Sequence, residues 1–196
     1  ELVEIKEKFA NPRRSEILEG AFGGVEDEDL IQREDMVVTV SHGGYIKRVP
    51  LSAYRAQRRG GRGRSGMSTK DEDFVANVFV ANTHTPMLFF SSIGQVYKLK
   101  VYKLPQGTPQ ARGKAMVNML PLSTDETITT IMPLPEDETT WDELHIMFAT
   151  SNGKVRRNSL DDFSQVKANG KIAIRLDDDD ALVGVATCSE EDDVLL

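Results

Sequence analysis

The sequence predicts an all-β protein of hairpin-containing, propeller-like blades: about three of them and the start of a fourth, preceded by a short N-terminal helix. Three observations carry this. A strand–turn–strand pattern occurs three times, at residues 37–48, 87–98 and 146–157. In each copy a Ser or Thr stands three residues before an aligned glycine (Gly44, Gly94, Gly153), an Ile or Val two after it and a base four after it. Finally, each copy is followed by the same two features in the same order. The first is a Gly-basic pair (Gly63-Arg64, Gly113-Lys114, Gly170-Lys171), and the second is an apolar run (residues 74–78, 128–131, 182–185). The aligned glycines lie 50 and then 59 residues apart, and four or so short strands per repeat of that length is the arithmetic of a blade.

The elements follow in chain order. Leu2, Ile5 and Phe9 fall on one helical face, and Asn11-Pro12 ends that helix. Gly20, Gly23 and Gly24 beside Glu26-Asp27-Glu28-Asp29 read as a linker or entry segment. In the hairpins, Gly43-Gly44 and Asn152-Gly153 are turn pairs that supply positive φ, and Ile93-Gly94 is a weaker version.

Composition excludes several classes. The chain has 196 residues, 39% of them apolar, which suffices for a core. The single Cys188 excludes an intrachain disulfide framework and fits a reducing compartment. The charged N-terminal residues do not form a signal peptide, and no apolar run approaches the roughly 20 residues of a membrane span. A soluble, cytoplasmic protein is expected, without a membrane partner. The net charge of −7 argues at first against a nucleic-acid binder. That average hides a sorting, however. Residues 36–70 hold 8 bases and no acid, and residues 86–120 hold 5 bases and no acid. The acids gather between and after them, with 7 and no base in 121–145 and 8 and no base in 177–196. Such alternation fits repeated units that are each basic in one part and acidic in another.

The most specific local feature is Gln57-Arg58-Arg59-Gly60-Gly61-Arg62-Gly63-Arg64. Arginine forks match phosphate oxygens in pairs, and glycines let main-chain N–H groups approach a phosphate closely. Nothing there reads bases, so the expected contact is to the nucleic-acid backbone. Gly61-Arg62-Gly63-Arg64-Ser65-Gly66 also fits a dinucleotide-binding fingerprint, but it lacks the strand before and the helix after that the fingerprint requires.

Gln57 to Gly63 resembles, at all seven positions, the basic box of the DNA gyrase A C-terminal domain. Residues 111–122 are similar to that family's second blade, and the resemblance covers nearly the whole chain. It implies residues 1–18 as the end of a preceding coiled-coil helix, 19–35 as a linker or entry segment, and 36–196 as a β-pinwheel, a ring of blades whose basic rim bends DNA and which is incomplete here beside the family's usual six blades. It also implies DNA wrapping without sequence preference in support of ATP-dependent negative supercoiling, with the box required for the wrap. The parent enzyme would be a type II topoisomerase using ATP and magnesium, with gyrase B and a second copy of gyrase A as partners; this segment itself would hold no cofactor and no catalytic residue.

The expected DNA-binding residues are Gln57, Arg58, Arg59, Gly60, Gly61, Arg62, Gly63 and Arg64 of the box, with the blade-rim bases Arg48, Lys98, Arg112, Lys114, Arg156, Arg157 and Lys171. Two alternatives stand beside this: the equivalent domain in the A subunit of topoisomerase IV, and a propeller-type protein-interaction module. Other constellations carry little chemistry. His42, His84 and His145 lack metal-ligand spacing. Tyr45, Tyr54, Tyr97 and Tyr102 read as strand or core residues, not a DNA-cleaving nucleophile, and Asp161-Asp162, read as neighbours on a strand, make a poor catalytic pair. The acidic runs 177–180 and 190–193 read as solvated turns, and Cys188 as a small buried residue.

Overall fold

An apolar run without alternation, Met87-Leu88-Phe89-Phe90, needs cover on both faces of its strand. It lies in the middle one of three antiparallel sheets. The computed structural model describes residues 1–10, 27–54, 67 and 73–194, which fall into two units, 1–30 and 31–196. In the first unit, α1 (Leu2–Phe9) is the helix expected from the spacing of Leu2, Ile5 and Phe9, and it ends where Ala10 turns extended. A single 3-10 turn, Asp27–Leu30, completes the description of that unit.

The second unit holds eleven described strands: β1 (Asp35–Ser41), β2 (Tyr45–Pro50), β3 (Val75–Asn82), β4 (Pro86–Ser91), β5 (Gln95–Lys100), β6 (Lys114–Ala115), β7 (Ile128–Pro133), β8 (His145–Thr150), β9 (Val155–Ser159), β10 (Lys171–Ile172) and β11 (Leu182–Cys188). The hairpins are β1–β2, β4–β5 and β8–β9. The apolar run that closes each repeat returns to the first strand of its own hairpin, pairing β3 with β1, β7 with β4 and β11 with β8. The Gly-basic pair instead crosses to the preceding sheet, where β6 pairs with β2 and β10 with β5. The sheet orders are therefore β3-β1-β2-β6, β10-β5-β4-β7 and β11-β8-β9, and among the described residues no sheet closes on itself.

The recurring Ser or Thr has one job in all three turns. Its hydroxyl accepts the backbone N–H of the residue after the glycine: Tyr45 onto Ser41, Gln95 onto Ser91 and Lys154 onto Thr150, each at 3.2 Å. The aligned glycines sit at φ of 78, 78 and 76°, a region that a side chain disfavours. Gly113 (φ 85°) has a second constraint, because a Cβ there would lie 2.4 Å from the Ile46 carbonyl oxygen of the strand it crosses.

The strand period of two sorts the core into two layers. Met36, Val38 and Val40 of β1 meet Met87, Phe89 and Tyr97 between the first two sheets. The alternate residues Leu88, Phe90 and Val96 face the third sheet and meet Trp141, Ile146, Phe148 and Phe163. Phe90, Phe148 and Phe163 form an edge-to-face triad with ring centroids 5.6–6.0 Å apart. Each fully buried side chain of this kind contributes about 1.5–3 kcal/mol.

Candidate nucleic-acid interface

The strands that lock one sheet to the next also deliver the bases. Lys114 and Lys171 lie on the crossing strands β6 and β10, and both are exposed. Arg112, two residues before Lys114, lays its guanidinium 3.7 Å from the centre of the Tyr45 ring, a cation–π contact with the hairpin it crosses. Its charge also helps hold the Asp73 carboxyl below the usual range, after the larger effects of the Ser41 hydroxyl and the Gly43 and Phe74 N–H groups. Arg156 and Arg157 are exposed on β9. Lys171 donates to the Asp162 carbonyl, with its ammonium 5.7 Å from the Phe163 ring.

Two of the expected rim bases take a different place. Arg48 is half-buried, and its Nε donates to the Leu104 carbonyl at 2.9 Å in the next repeat. Burial pushes its pKa down, opposed by the charge of Glu34. Lys98, at the matching position of the second hairpin, donates to Glu138 Oε1 at 2.6 Å and to the Ser164 carbonyl at 2.8 Å, and lies 4.9 Å over the Trp141 ring. Both bases stitch the following repeat onto their own sheet through internal carbonyl and carboxylate acceptors. Lys47 does the same from complete burial, donating to the carbonyls of Thr108 and Pro109 at 3.0 and 2.6 Å, and burial lowers its pKa. The box residues Gln57, Arg58, Arg59, Gly60, Gly61, Arg62, Gly63 and Arg64 lie outside the described residues.

Two acidic features also differ from expectation. Asp161-Asp162 belongs to a 3-10 turn, Leu160–Phe163, rather than a strand. Asp180 is no freely solvated turn residue: its Oδ1 accepts from Ser151 Oγ and from the N–H groups of Asn152 and Ala181, each at 3.0 Å, tying the third hairpin turn to β11. Asp73 ties the first turn in the same way through Gly43 N–H at 2.6 Å. Tyr97 is a core residue. Its hydroxyl donates to the buried Glu126 at 2.9 Å, and burial, with that bond and charge, pushes its pKa up to about 12. His42 stacks on Phe74 at 4.8 Å, and Cys188 is buried. Among the described residues no group of His, Cys, Asp or Glu is placed to hold a metal ion, and no helix is long and apolar enough to cross a membrane.

Sequence reading missed Arg175. It lines one groove with Arg156 and Lys171, between β9 and β10. The signal was present, since Arg175 lies five residues after Gly170 in the segment that opens with the crossing pair.

Interlocked antiparallel sheets, the first two each receiving a Gly-basic strand from the next repeat, define a β-pinwheel of the propeller class. The family model "DNA gyrase C-terminal domain, beta-propeller" matches residues 35–82, 86–135 and 144–189, one stretch per repeat, and the chain belongs to that family. It is 62% identical over its whole length to the DNA gyrase A protein of Rickettsia bellii and 46% identical to that of Staphylococcus epidermidis. The chain spans 22% of the length of each of these relatives. Among solved structures it is similar to the C-terminal domain of DNA topoisomerase IV (TM-score 0.67, 26% identity, 80% of this chain and 46% of that one). It is also similar to a DNA gyrase A C-terminal domain (TM-score 0.59, 26% identity, 80% of this chain and 49% of that one). Shape does not separate the two kinds of domain; the identity to gyrase A sequences does.

Proposed function

We propose that this chain binds and bends duplex DNA, without sequence preference, as the wrapping domain of a DNA gyrase A protein. The observation that carries the reading is the repetition of exposed bases where one sheet locks to the next, Lys114 on β6 and Lys171 on β10, with Arg112, Arg156 and Arg157 beside them. Bases spaced by blades suit a curved phosphate track. Bending 20–30 base pairs of stiff duplex costs on the order of 1–6 kcal/mol, so contacts spread over several blades are needed to offset it. The box residues Gln57 to Arg64 extend that track on this reading. Arg48 and Lys98 support it indirectly, by fixing the blades that present the other bases.

The parent enzyme, on this reading, is an ATP-dependent type II topoisomerase in the cytoplasm, assembled from two copies of gyrase A with gyrase B, where ATP and magnesium serve chemistry away from this segment. The topological likeness to the topoisomerase IV domain supports a second reading, DNA binding without the supercoiling direction that a wrap supplies. Fluorescence anisotropy of a labelled duplex against salt tests the common part. Affinity should fall steeply as salt rises, because each neutralised phosphate releases counterions. A folded chain with no affinity at low salt would instead favour the protein-interaction module.

A further inference from the structure

The groove between the second and third sheets has a volume of about 490 Å³ and is lined by Arg156, Asn158, Asp162, Phe163, Lys171 and Arg175, among others. Three cations therefore face one carboxylate. That carboxylate is engaged, since Asp162 Oδ2 accepts from Asn158 Nδ2 at 3.0 Å. The Lys171 ammonium is anchored on the Asp162 carbonyl, which fixes where its positive charge sits. Phe163 and Ala173 are buried in the walls, so the groove has a low-dielectric lining that focuses the field of the cations.

The chain supplies its own comparison. Counted from Gly113 and Gly170, and along the matching hairpin strands, the first crossing carries Lys114, Asn118 and Tyr97 where the second carries Lys171, Arg175 and Arg156. In the same frame the first crossing also has Arg112 and Lys103 where the second has Asn169 and Asp162, so what sets the second apart is Arg175 and Arg156 in place of Asn118 and Tyr97. Of these, Tyr97 is buried and bound to Glu126, whereas Arg156 is exposed. Nothing in the packing of the second layer calls for Arg175, which is exposed.

We propose that this groove seats a phosphodiester of the bound duplex, and that Arg175, with Arg156 and Lys171, is one of its ligands. The inference rests on the DNA-binding reading and deepens it, adding Arg175 to the phosphate ligands at the second crossing. Two guanidinium forks and an ammonium converging on one groove match the tetrahedral, doubly accepting face of a phosphodiester.

The test is anisotropy of a labelled duplex, titrated with the wild-type chain, Arg175→Gln, Arg175→Lys and Lys103→Gln over a range of salt. Lys103 is exposed and lies outside the groove. Arg175→Gln should weaken binding about 3- to 10-fold and lower the slope of log affinity against log salt by about one. Arg175→Lys should keep the slope and lose less affinity, and Lys103→Gln should fall short of Arg175→Gln in both. Circular dichroism and the urea midpoint verify the fold of each variant. If the wild type binds and Arg175→Gln matches it in affinity and slope, the phosphate seat is overturned and the DNA-binding reading survives. If the wild type itself shows no salt-dependent binding, the DNA-binding reading falls.

Discussion

The ammonium of Lys98, on the second sheet, donates to the backbone carbonyl of Ser164, in the third repeat, at 2.8 Å. With Glu138 accepting from the same nitrogen at 2.6 Å and Trp141 beneath it, this lysine joins two blades through one half-buried charge. A base that the sequence suggests for DNA thus also takes part in the frame.

Lys98→Met separates the two roles, because methionine keeps an apolar stem over Trp141 while removing the charge. The variant should lose about 1–3 kcal/mol in urea unfolding, since Glu138 and the Ser164 carbonyl lose their donor. Its affinity for duplex DNA at low salt should stay within about two-fold of wild type. A large loss of affinity with unchanged stability would return Lys98 to the rim.

Gly113→Ala should destabilise more than Gly153→Ala. Both positions have positive φ, but only at Gly113 would the new Cβ meet a backbone oxygen, that of Ile46 at 2.4 Å, whereas at Gly153 nothing lies within 4 Å. Costs of about 1 kcal/mol at Gly153 and about 2–4 kcal/mol at Gly113 are expected from strain alone and strain plus clash. Thermal unfolding of the two variants side by side checks the order.

Tyr97 makes a pH prediction. Its folded pKa is raised to about 12 from an ordinary value near 10, first by burial and then by its bond to Glu126 and that carboxylate's charge. The folded state therefore keeps a proton that the unfolded state releases. The stabilisation is fully present below pH 10 and is lost as pH rises from 10 towards 12. Tyr97→Phe should be less stable than wild type at pH 8, and the gap should shrink between pH 10 and 12. Lys47, whose pKa is lowered, shifts both proteins alike, so the difference between their urea midpoints isolates the tyrosine. A gap that stays constant across that window would contradict the assignment.

The hairpins were legible because their signals are local: a glycine at positive φ, and a hydroxyl three residues earlier that caps the turn. The layering of the core was legible in part. Met87 to Phe90 announces a strand buried on both faces, but not which neighbour covers each face. The crossing of Gly113-Lys114 and Gly170-Lys171 to the preceding sheet was hidden, because two residues of pairing leave no periodicity to read. For the same reason Arg48 and Lys98 looked like rim bases. A sequence shows a charge but not the carbonyl that will accept its proton, and the acceptors here come from the next repeat, at Leu104 and Ser164. Arg175 was hidden differently, since its meaning depends on Arg156 reaching the same groove from another strand.

The central claim is that the chain bends DNA rather than merely adhering to it. It is tested most directly by ligating nicked circular DNA in the presence of the chain and measuring the trapped change in linking number. A wrapping chain gives a shift of one sign that grows with protein bound per circle and is sharply reduced when Arg58, Arg59 and Arg62 of the box are replaced by alanine. A folded wild-type chain that binds the circles yet leaves the linking number unchanged would contradict it. So would a shift that survives the triple replacement undiminished, which would remove the box from the wrap.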